Sequence, residues 1–234
     1  MKDYVYPPVV IGIKGFWKYL GLQFKFKGQE HLPKKGGAIL AMNHVGYLDF
    51  AIAGTAVLPI GRYVRFMAKK SIFDNKLVGP LMRGMHHISV DRENGSPSFV
   101  AAMRALKQGE LVGIFPEATI SKSWEIKDLK SGAVRLSQGG HVPIIPTVIW
   151  GSQRIWTKGL PKNFKRKSIP IHISYGEPLY FAKNADVEKS EQVLREKMIE
   201  MLHQVQSGYP DSHVGERWAP QRLGGTAPAP VIEK

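Results

Sequence analysis

Short apolar segments alternate with helix-like segments through most of this 234-residue chain, and this alternation is what most limits its possible folds. The runs Ala38–Met42 and Ile144–Ile149 have the length and composition of strands buried on both faces. Helical periodicity marks the segments Ser96–Gln108 and Leu129–Gln138 between such runs. Strands that alternate with helices predict a single α/β domain, in which helices flank a mixed central β-sheet.

The remaining segments extend this pattern and set the boundaries of the domain. Further strands are predicted at Leu22–Lys27, Tyr63–Met67, His87–Val90, Leu111–Phe115 and Ile169–Tyr175. Asp186–Gln206 carries apolar residues at helical spacing, so it predicts a closing amphipathic helix. Residues 207–234 turn rich in Pro, Gly and charge, which predicts an extended, flexible tail. The folded domain is therefore predicted to occupy residues 29–206.

Residues 1–28 predict an amphipathic helix and its lead-in. Ile13, Phe16, Trp17 and Leu20 fall on one helical stripe, and Lys14 and Lys18 lie among them. An apolar stripe with Trp and a basic fringe is typical of a helix at a membrane interface. The same stripe would also suit packing on the domain core, and the two arrangements are compatible.

The composition restricts the partners and the chemistry. Lys and Arg total 33 against 19 Asp and Glu, which gives a net charge of +14 that attracts nucleic acid, anionic lipid or a phosphorylated substrate. The absence of Cys excludes a thiol nucleophile, a thiolate zinc site and a disulfide framework. No apolar run is long enough to span a membrane, and Met1–Pro8 lacks the pattern of a signal peptide. We therefore expect a protein that neither spans a membrane nor is exported.

His44 and Asp49 are the strongest candidates for chemistry. They follow the predicted strand Ala38–Met42, and their spacing would turn them to different faces of a continuous helix. A contact between them requires His44 on the turn from strand to helix. In that position the carboxylate can hold one imidazole nitrogen while the other takes a proton from a hydroxyl. The alternative is a turn histidine that only the backbone satisfies.

Four ordered motifs, at family-like spacing, resemble those of the bacterial 1-acyl-sn-glycerol-3-phosphate acyltransferases, the PlsC-like family. The motifs are Asn43-His44 with Asp49, Val90-Asp91-Arg92, Phe115-Pro116-Glu117 with Thr119, and Val142-Pro143-Ile144-Ile145-Pro146. Ala68-Lys69-Lys70 also looks like the family. The resemblance implies the fold of that family and transfer of an acyl group to lysophosphatidic acid.

The resemblance also implies a role for each site residue. His44 would be the general base, and Asp49 would fix its tautomer and stabilise the imidazolium. The acceptor would be bound by Asn43, Lys69, Arg92, Glu117 and Thr119, with the phosphate on Lys69 and Arg92. Backbone N–H groups near Val45 and Gly46 are candidate oxyanion donors. The co-substrate would be acyl-CoA or acyl-ACP, without a cofactor or a metal ion.

One departure from the family pattern leaves the identity of the acceptor undetermined. Ile120 stands where the family usually has an arginine that helps to bind phosphate, in the sequence Glu117-Ala118-Thr119-Ile120. Another lysophospholipid or a glycolipid is therefore an alternative acceptor, and a non-catalytic basic lipid-binding module is an alternative of another class. No nucleic-acid motif is present, so nucleic acid is not an expected partner. We expect peripheral contact with an anionic membrane at the cytoplasmic face, and acyl carrier protein is a candidate partner.

Overall fold

A seven-stranded sheet forms the centre of the structure, a computed structural model that describes residues 3–93 and 95–230. Its strands are β1 (Gln23–Lys27), β2 (Ala38–Met42), β3 (Val64–Lys69), β4 (Ile88–Val90), β5 (Leu111–Ile114), β6 (Ile144–Trp150) and β7 (Pro170–Tyr175). Their order across the sheet is β1-β7-β6-β2-β5-β3-β4. Strands β2 to β6 run parallel, whereas β7 is antiparallel to β6 and parallel to β1. The predicted mixed sheet is confirmed.

Helices cover both faces of this sheet. They are α1 (Tyr6–Leu20), α2 (Asp49–Val57), α3 (Lys70–Phe73), α4 (Val78–Gly84), α5 (Ser96–Lys107), α6 (Gly132–Gly140) and α7 (Val187–Ser207). Successive side chains of a strand point to opposite faces. Accordingly, Ile39 packs in the core with α5, α6 and α7, whereas Leu40 packs in the core with α1 and α2. Strand β2 is continuously apolar because both of its faces are covered.

The N-terminal helix packs on the core through part of its predicted stripe and leaves other apolar side chains exposed. Gly21 ends it in the left-handed conformation, with φ of 70°. Trp17 is buried and donates its indole N–H to Thr55 at 3.0 Å, so this part of the stripe belongs to the core. Ile11 and Tyr19 remain 72% and 62% exposed. Among the described residues, no helix has both the length and the apolar character needed to cross a bilayer.

The C-terminal segment differs from the extended tail that its composition predicts. Tyr209, Trp218, Ala219 and Ala227 are buried in the core cluster that contains Trp150. The indole N–H of Trp124 donates to the carbonyl of Arg217 at 3.0 Å. The prediction is therefore wrong for residues 207–230, because a few apolar side chains anchor a segment that is otherwise polar. Residues 231–234 lie outside the described part of the chain.

The parallel strands place three of the four motifs on one edge of the sheet, whereas residues 142–146 lie at the start of β6, away from that edge. Because β2 to β6 run in one direction, their carboxyl ends meet at the same edge, in the order β6, β2, β5, β3, β4. Adjacent strands are about 4.8 Å apart, so side chains from neighbouring strand ends can touch. Sites in open α/β sheets collect at this edge.

Candidate active site

His44 and Asp49 meet at the end of β2. Asp49 is the first residue of α2, and its Oδ2 lies 3.0 Å from Nδ1 of His44. The carboxylate is fully buried, whereas the side chain of His44 is 21% exposed. The tautomer protonated at Nδ1 donates to Asp49 and leaves Nε2 to accept a proton. The predicted contact is present, and the arrangement has the form of a general base with its orienting carboxylate.

Four donors hold the carboxylate of Asp49. Besides His44, the backbone N–H groups of Val45 and Gly46 each donate to Oδ2 at 2.8 Å. The hydroxyl of Ser152 donates to Oδ1 at 2.5 Å. A buried carboxylate needs such partners because its desolvation is costly. The amides of Val45 and Gly46 are thus engaged with Asp49, which contradicts their predicted use as oxyanion donors.

The imidazole of His44 rests against the loop that follows β5. Its ring stacks on that of Phe115, with centroids 4.3 Å apart and an interplanar angle of 27°. Its backbone N–H donates to Oε1 of Glu117 at 2.9 Å, and its carbonyl accepts from the N–H of Ser121 at 2.8 Å. The position of His44 is therefore fixed by β5 as well as by β2.

Glu117 has a different role from the one predicted. Its carboxyl group is buried, and its second oxygen, Oε2, accepts from the backbone N–H of Lys127 at 3.1 Å. Burial raises the pKa of this carboxyl from its ordinary 4.5 to about 7, although the two N–H donors oppose that rise. Because the carboxyl group is buried and each oxygen accepts from a backbone N–H, Glu117 fastens the loops around His44.

Asn43 is also used internally, contrary to the prediction. Its side-chain amide is fully buried, donates to the carbonyl of Ile149 at 3.0 Å and accepts from the N–H of Ile149 at 2.7 Å. This pair of hydrogen bonds continues the ladder between β2 and β6 beyond the last residue of β2. Asn43 therefore aligns the two strand ends that carry His44 and Ser152.

The predicted cations lie on the other side of His44 from Ser152. Lys69 is exposed at the end of β3, and Arg92 is exposed just after β4. The guanidinium of Arg92 donates to the carbonyl of Ala118 at 2.6 Å, which brings it to the loop after β5. In the same loop, Thr119 accepts from the ammonium of Lys127 at 2.7 Å. The roles of Lys69, Arg92 and Thr119 in binding an acceptor stay predictions.

Ser152 and Phe115 are two site residues that the sequence did not identify. Ser152 lies two residues beyond the end of β6, next to β2 in the sheet, but 103 positions separate it from Asp49. Only the pairing of β2 with β6 brings the two together. Phe115 belongs to the third motif, but the motif predicts no role for its ring, which stacks on His44.

Known proteins resemble this chain over most of its length. Residues 23–150 match the family model described as Acyltransferase. The 1-acyl-sn-glycerol-3-phosphate acyltransferase of Bacillus subtilis is 36% identical over 181 residues, which span 77% of this chain and 84% of that protein. The enzyme of the same name from Limnanthes douglasii is 33% identical, over 73% of this chain and 59% of its own length.

A solved structure has a similar fold. The 1-acyl-sn-glycerophosphate (LPA) acyltransferase PlsC from Thermotoga maritima superimposes with a TM-score of 0.69 at 20% sequence identity. The similarity covers 87% of this chain and 82% of that one. The mixed α/β architecture is therefore shared with a protein of very different sequence.

Proposed function

Because the chain belongs to the PlsC-like acyltransferase family, we propose that it transfers a fatty acyl group from an acyl thioester to the sn-2 hydroxyl of lysophosphatidic acid. The product is phosphatidic acid. One observation carries the proposal at the level of chemistry, namely the 3.0 Å contact between the half-buried imidazole of His44 and the buried carboxylate of Asp49. The names of the related proteins support the same acceptor.

The reaction follows from the geometry of this pair. Nε2 of His44 takes the proton of the acceptor hydroxyl while the hydroxyl oxygen attacks the thioester carbonyl carbon. The tetrahedral intermediate collapses, the carbon–sulfur bond breaks, and the departing thiolate takes the proton back from the imidazolium. Asp49 stabilises the imidazolium between these steps. General base catalysis of this kind contributes about 10²- to 10⁴-fold.

The acceptor phosphate is proposed to bind on the side of β3 and β4. Arg92 and Lys69 are exposed cations near that edge, and charge-assisted hydrogen bonds to phosphate are the interaction they suit. Arg92 already points to the loop next to His44, through its bond to Ala118. Ile120 lies in this loop where the family usually has a second phosphate-binding arginine, so another lysophospholipid or a glycolipid is the alternative acceptor.

The donor is proposed to be acyl-CoA or acyl-ACP, and the enzyme to work at the surface of an anionic membrane. Exposed apolar side chains support such contact in two helical regions, Ile11 and Tyr19 of α1, and Leu77 and Leu81 at α4. Exposed cations lie among them, including Lys14, Lys18, Lys70 and Lys76. Each cation near an anionic surface contributes on the order of 1 kcal/mol to binding. A peripheral position at the cytoplasmic membrane face follows from this proposal.

The substitution His44→Ala tests the chemical step. We expect phosphatidic acid formation from lysophosphatidic acid and palmitoyl-CoA to fall by about 10²- to 10⁴-fold, because the general base is removed. Binding to anionic vesicles should persist. The control is His203→Ala, which removes a partly exposed histidine on α7. Activity of the His44 variant near that of the control would refute the base assignment.

A panel of acceptors tests which lipid the enzyme prefers as its acyl acceptor. Purified enzyme receives lysophosphatidic acid, other lysophospholipids and a glycolipid, each with palmitoyl-CoA, oleoyl-CoA and palmitoyl-ACP. We expect lysophosphatidic acid to give the highest kcat/KM. A higher kcat/KM for another acceptor would support the proposed acyl transfer but identify that acceptor as the substrate. Vesicle binding without turnover of any thioester would favour a non-catalytic lipid-binding module.

A further inference from the structure

A cationic cleft lies on the opposite side of His44 from Arg92. It has a volume of about 540 Å³ and is formed between the connection from β6 to β7 and the C-terminal segment near Trp218. Its charged lining residues are Arg154, Lys162, Lys165, Lys167, Arg217 and Glu216. Five of these six residues are cations, so the cleft is strongly basic. A concave basic site of this volume suits a small anionic ligand.

The cleft begins beside the residues that hold the catalytic pair. Gln153, which lines it, directly follows Ser152, the residue whose hydroxyl binds Asp49. On the same side, the N–H of Tyr47 donates to the carbonyl of Trp156 at 2.9 Å, and their rings are 4.9 Å apart. Because Tyr47 lies in the turn between His44 and Asp49, a ligand in the cleft has a short way to the imidazole.

Two aromatic rings lie next to the cations of the cleft, Trp218 in its lining and Trp156 beside Lys162. The ammonium of Lys162 lies 4.5 Å from the centre of the Trp156 ring, and the guanidinium of Arg154 lies 4.4 Å from that of Trp218. Arg154 is held further by Asp211 and by the hydroxyl of Tyr209. Lys162, Lys165 and Lys167 are exposed. Anchored cations and aromatic rings together form a surface that suits phosphates attached to a flat base.

We propose that this cleft binds the adenosine 3′-phosphate and diphosphate part of coenzyme A, and so holds the acyl donor. The inference rests on the proposed function and specifies its donor side. Direct acyl transfer requires donor and acceptor to reach His44 together. A nucleotide held beyond β6 and an acceptor phosphate held near β3 and β4 approach the imidazole from opposite sides, which meets that requirement.

The shape of the cleft favours a nucleotide over a carrier protein. Specific protein partners bury about 800 Å² on each side, commonly on broad surfaces. A cleft of about 540 Å³ instead falls in the range of about 300 to 1,000 Å³ that is typical of small-molecule sites. The phosphates of coenzyme A belong to the donor itself, so recognition by cations here would add affinity for the thioester without taking part in the chemistry.

Calorimetry with adenosine 3′,5′-bisphosphate and the full chain tests binding directly. We expect wild-type protein to bind it, and the variant Lys162→Glu/Lys165→Glu to bind at least about tenfold more weakly because two cations become anions. The control is Lys34→Glu/Lys35→Glu, with the same change in net charge at the opposite edge of the sheet, before β2. The control should keep its affinity within about twofold. If circular dichroism shows that the cleft variant is unfolded, Lys162→Gln/Lys165→Gln replaces it.

Kinetics with two acyl donors distinguish a cleft that binds a nucleotide from one that binds a carrier protein. The cleft variant should have a KM for palmitoyl-CoA raised by about tenfold, with the KM for lysophosphatidic acid unchanged. The proposal is overturned if wild-type protein does not bind the bisphosphate, or if cleft and control variants bind it equally. It is also overturned if only the KM for palmitoyl-ACP rises, since that result would assign the cleft to a protein partner.

Failure of this inference and failure of the proposed function give different results. If wild-type protein binds the bisphosphate but transfers no acyl group, the proposed nucleotide site is supported and the proposed enzyme activity is refuted. If the enzyme is active but does not bind the bisphosphate, the proposed activity is supported and the proposed nucleotide site is refuted. His44→Ala should bind the bisphosphate like wild-type protein while losing turnover, because His44 lies outside the cleft lining.

Discussion

The two sides of the catalytic edge differ in how tightly their charged groups are held. On the side of β2 and β6, Asp49 is fully buried and accepts from four donors. On the side of β3 and β4, Lys69 and Arg92 are exposed. A buried charge requires a complete set of partners, whereas exposed cations can move at little energetic cost. The difference suits fixed chemistry on one side and adaptable recognition of an acceptor on the other.

Asp49→Asn should have the largest effect because it removes the charge from the tightly held side. The two backbone N–H groups at Oδ2 require an acceptor there, so the Asn oxygen should occupy that position and its NH₂ should face the hydroxyl of Ser152. His44 then keeps its tautomer but loses the negative charge that stabilises its imidazolium. We expect kcat to fall by about 10²- to 10³-fold, measured by phosphatidic acid formation.

Asp74→Asn is the control for Asp49→Asn, since Asp74 is an exposed aspartate at the end of α3. It should retain the wild-type rate. Thermal unfolding of both variants checks that the lost activity of Asp49→Asn does not come from unfolding. A kcat for Asp49→Asn within about threefold of wild type would show that the buried charge does not assist the base.

Glu117→Gln tests the side of β2 and β6 through the pH dependence of the unfolding free energy. In the folded protein the pKa of Glu117 is about 7 against an ordinary 4.5, so folding favours its protonated form. That stability is fully present below about pH 4.5 and declines as pH rises through about 7. Gln is neutral throughout and lacks this decline. From these two pKa values, the unfolding free energy of wild type should fall by about 3 kcal/mol relative to the variant between about pH 4.5 and pH 8.

Urea unfolding at several pH values measures this difference. The control is Glu177→Gln, which neutralises an exposed glutamate just after β7. The difference between wild type and that control should change far less with pH. Parallel stability curves for wild type and Glu117→Gln would contradict the buried, proton-holding role of Glu117.

Sequence patterns predicted the sheet well because its strands are apolar runs with clear ends. All seven predicted strands are present with ends within two residues of those observed, and the predicted family is confirmed. The contact of His44 with Asp49 also followed from local spacing, because the turn and the start of α2 are continuous in sequence. The short helices α3 and α4 were not predicted, since their segment has no extended periodicity.

Three of the failures depend on contacts between distant segments. Asn43 and Glu117 belong to motifs that suggest substrate contact, yet the backbone of Ile149 and of Lys127 occupies their polar atoms. Ser152 was overlooked because its partner Asp49 is reached only through the pairing of β6 with β2. Residue type and spacing therefore identified where the site lies, while the assignment of each polar group required the three-dimensional neighbours.

The smallest expected effect is on the exposed side, where Arg92→Ala should raise the KM for lysophosphatidic acid by about tenfold and change kcat little. The reason is that this exposed guanidinium is proposed to bind the acceptor phosphate and lies outside the His44–Asp49 contact. Arg104→Ala on α5 is the matched control and should leave this KM unchanged. The KM for monoacylglycerol, which lacks a phosphate, should not respond to Arg92→Ala. If both acceptors lost kcat equally, the bond from Arg92 to Ala118 would be the important contact, and Arg92 would support the loop instead of the phosphate.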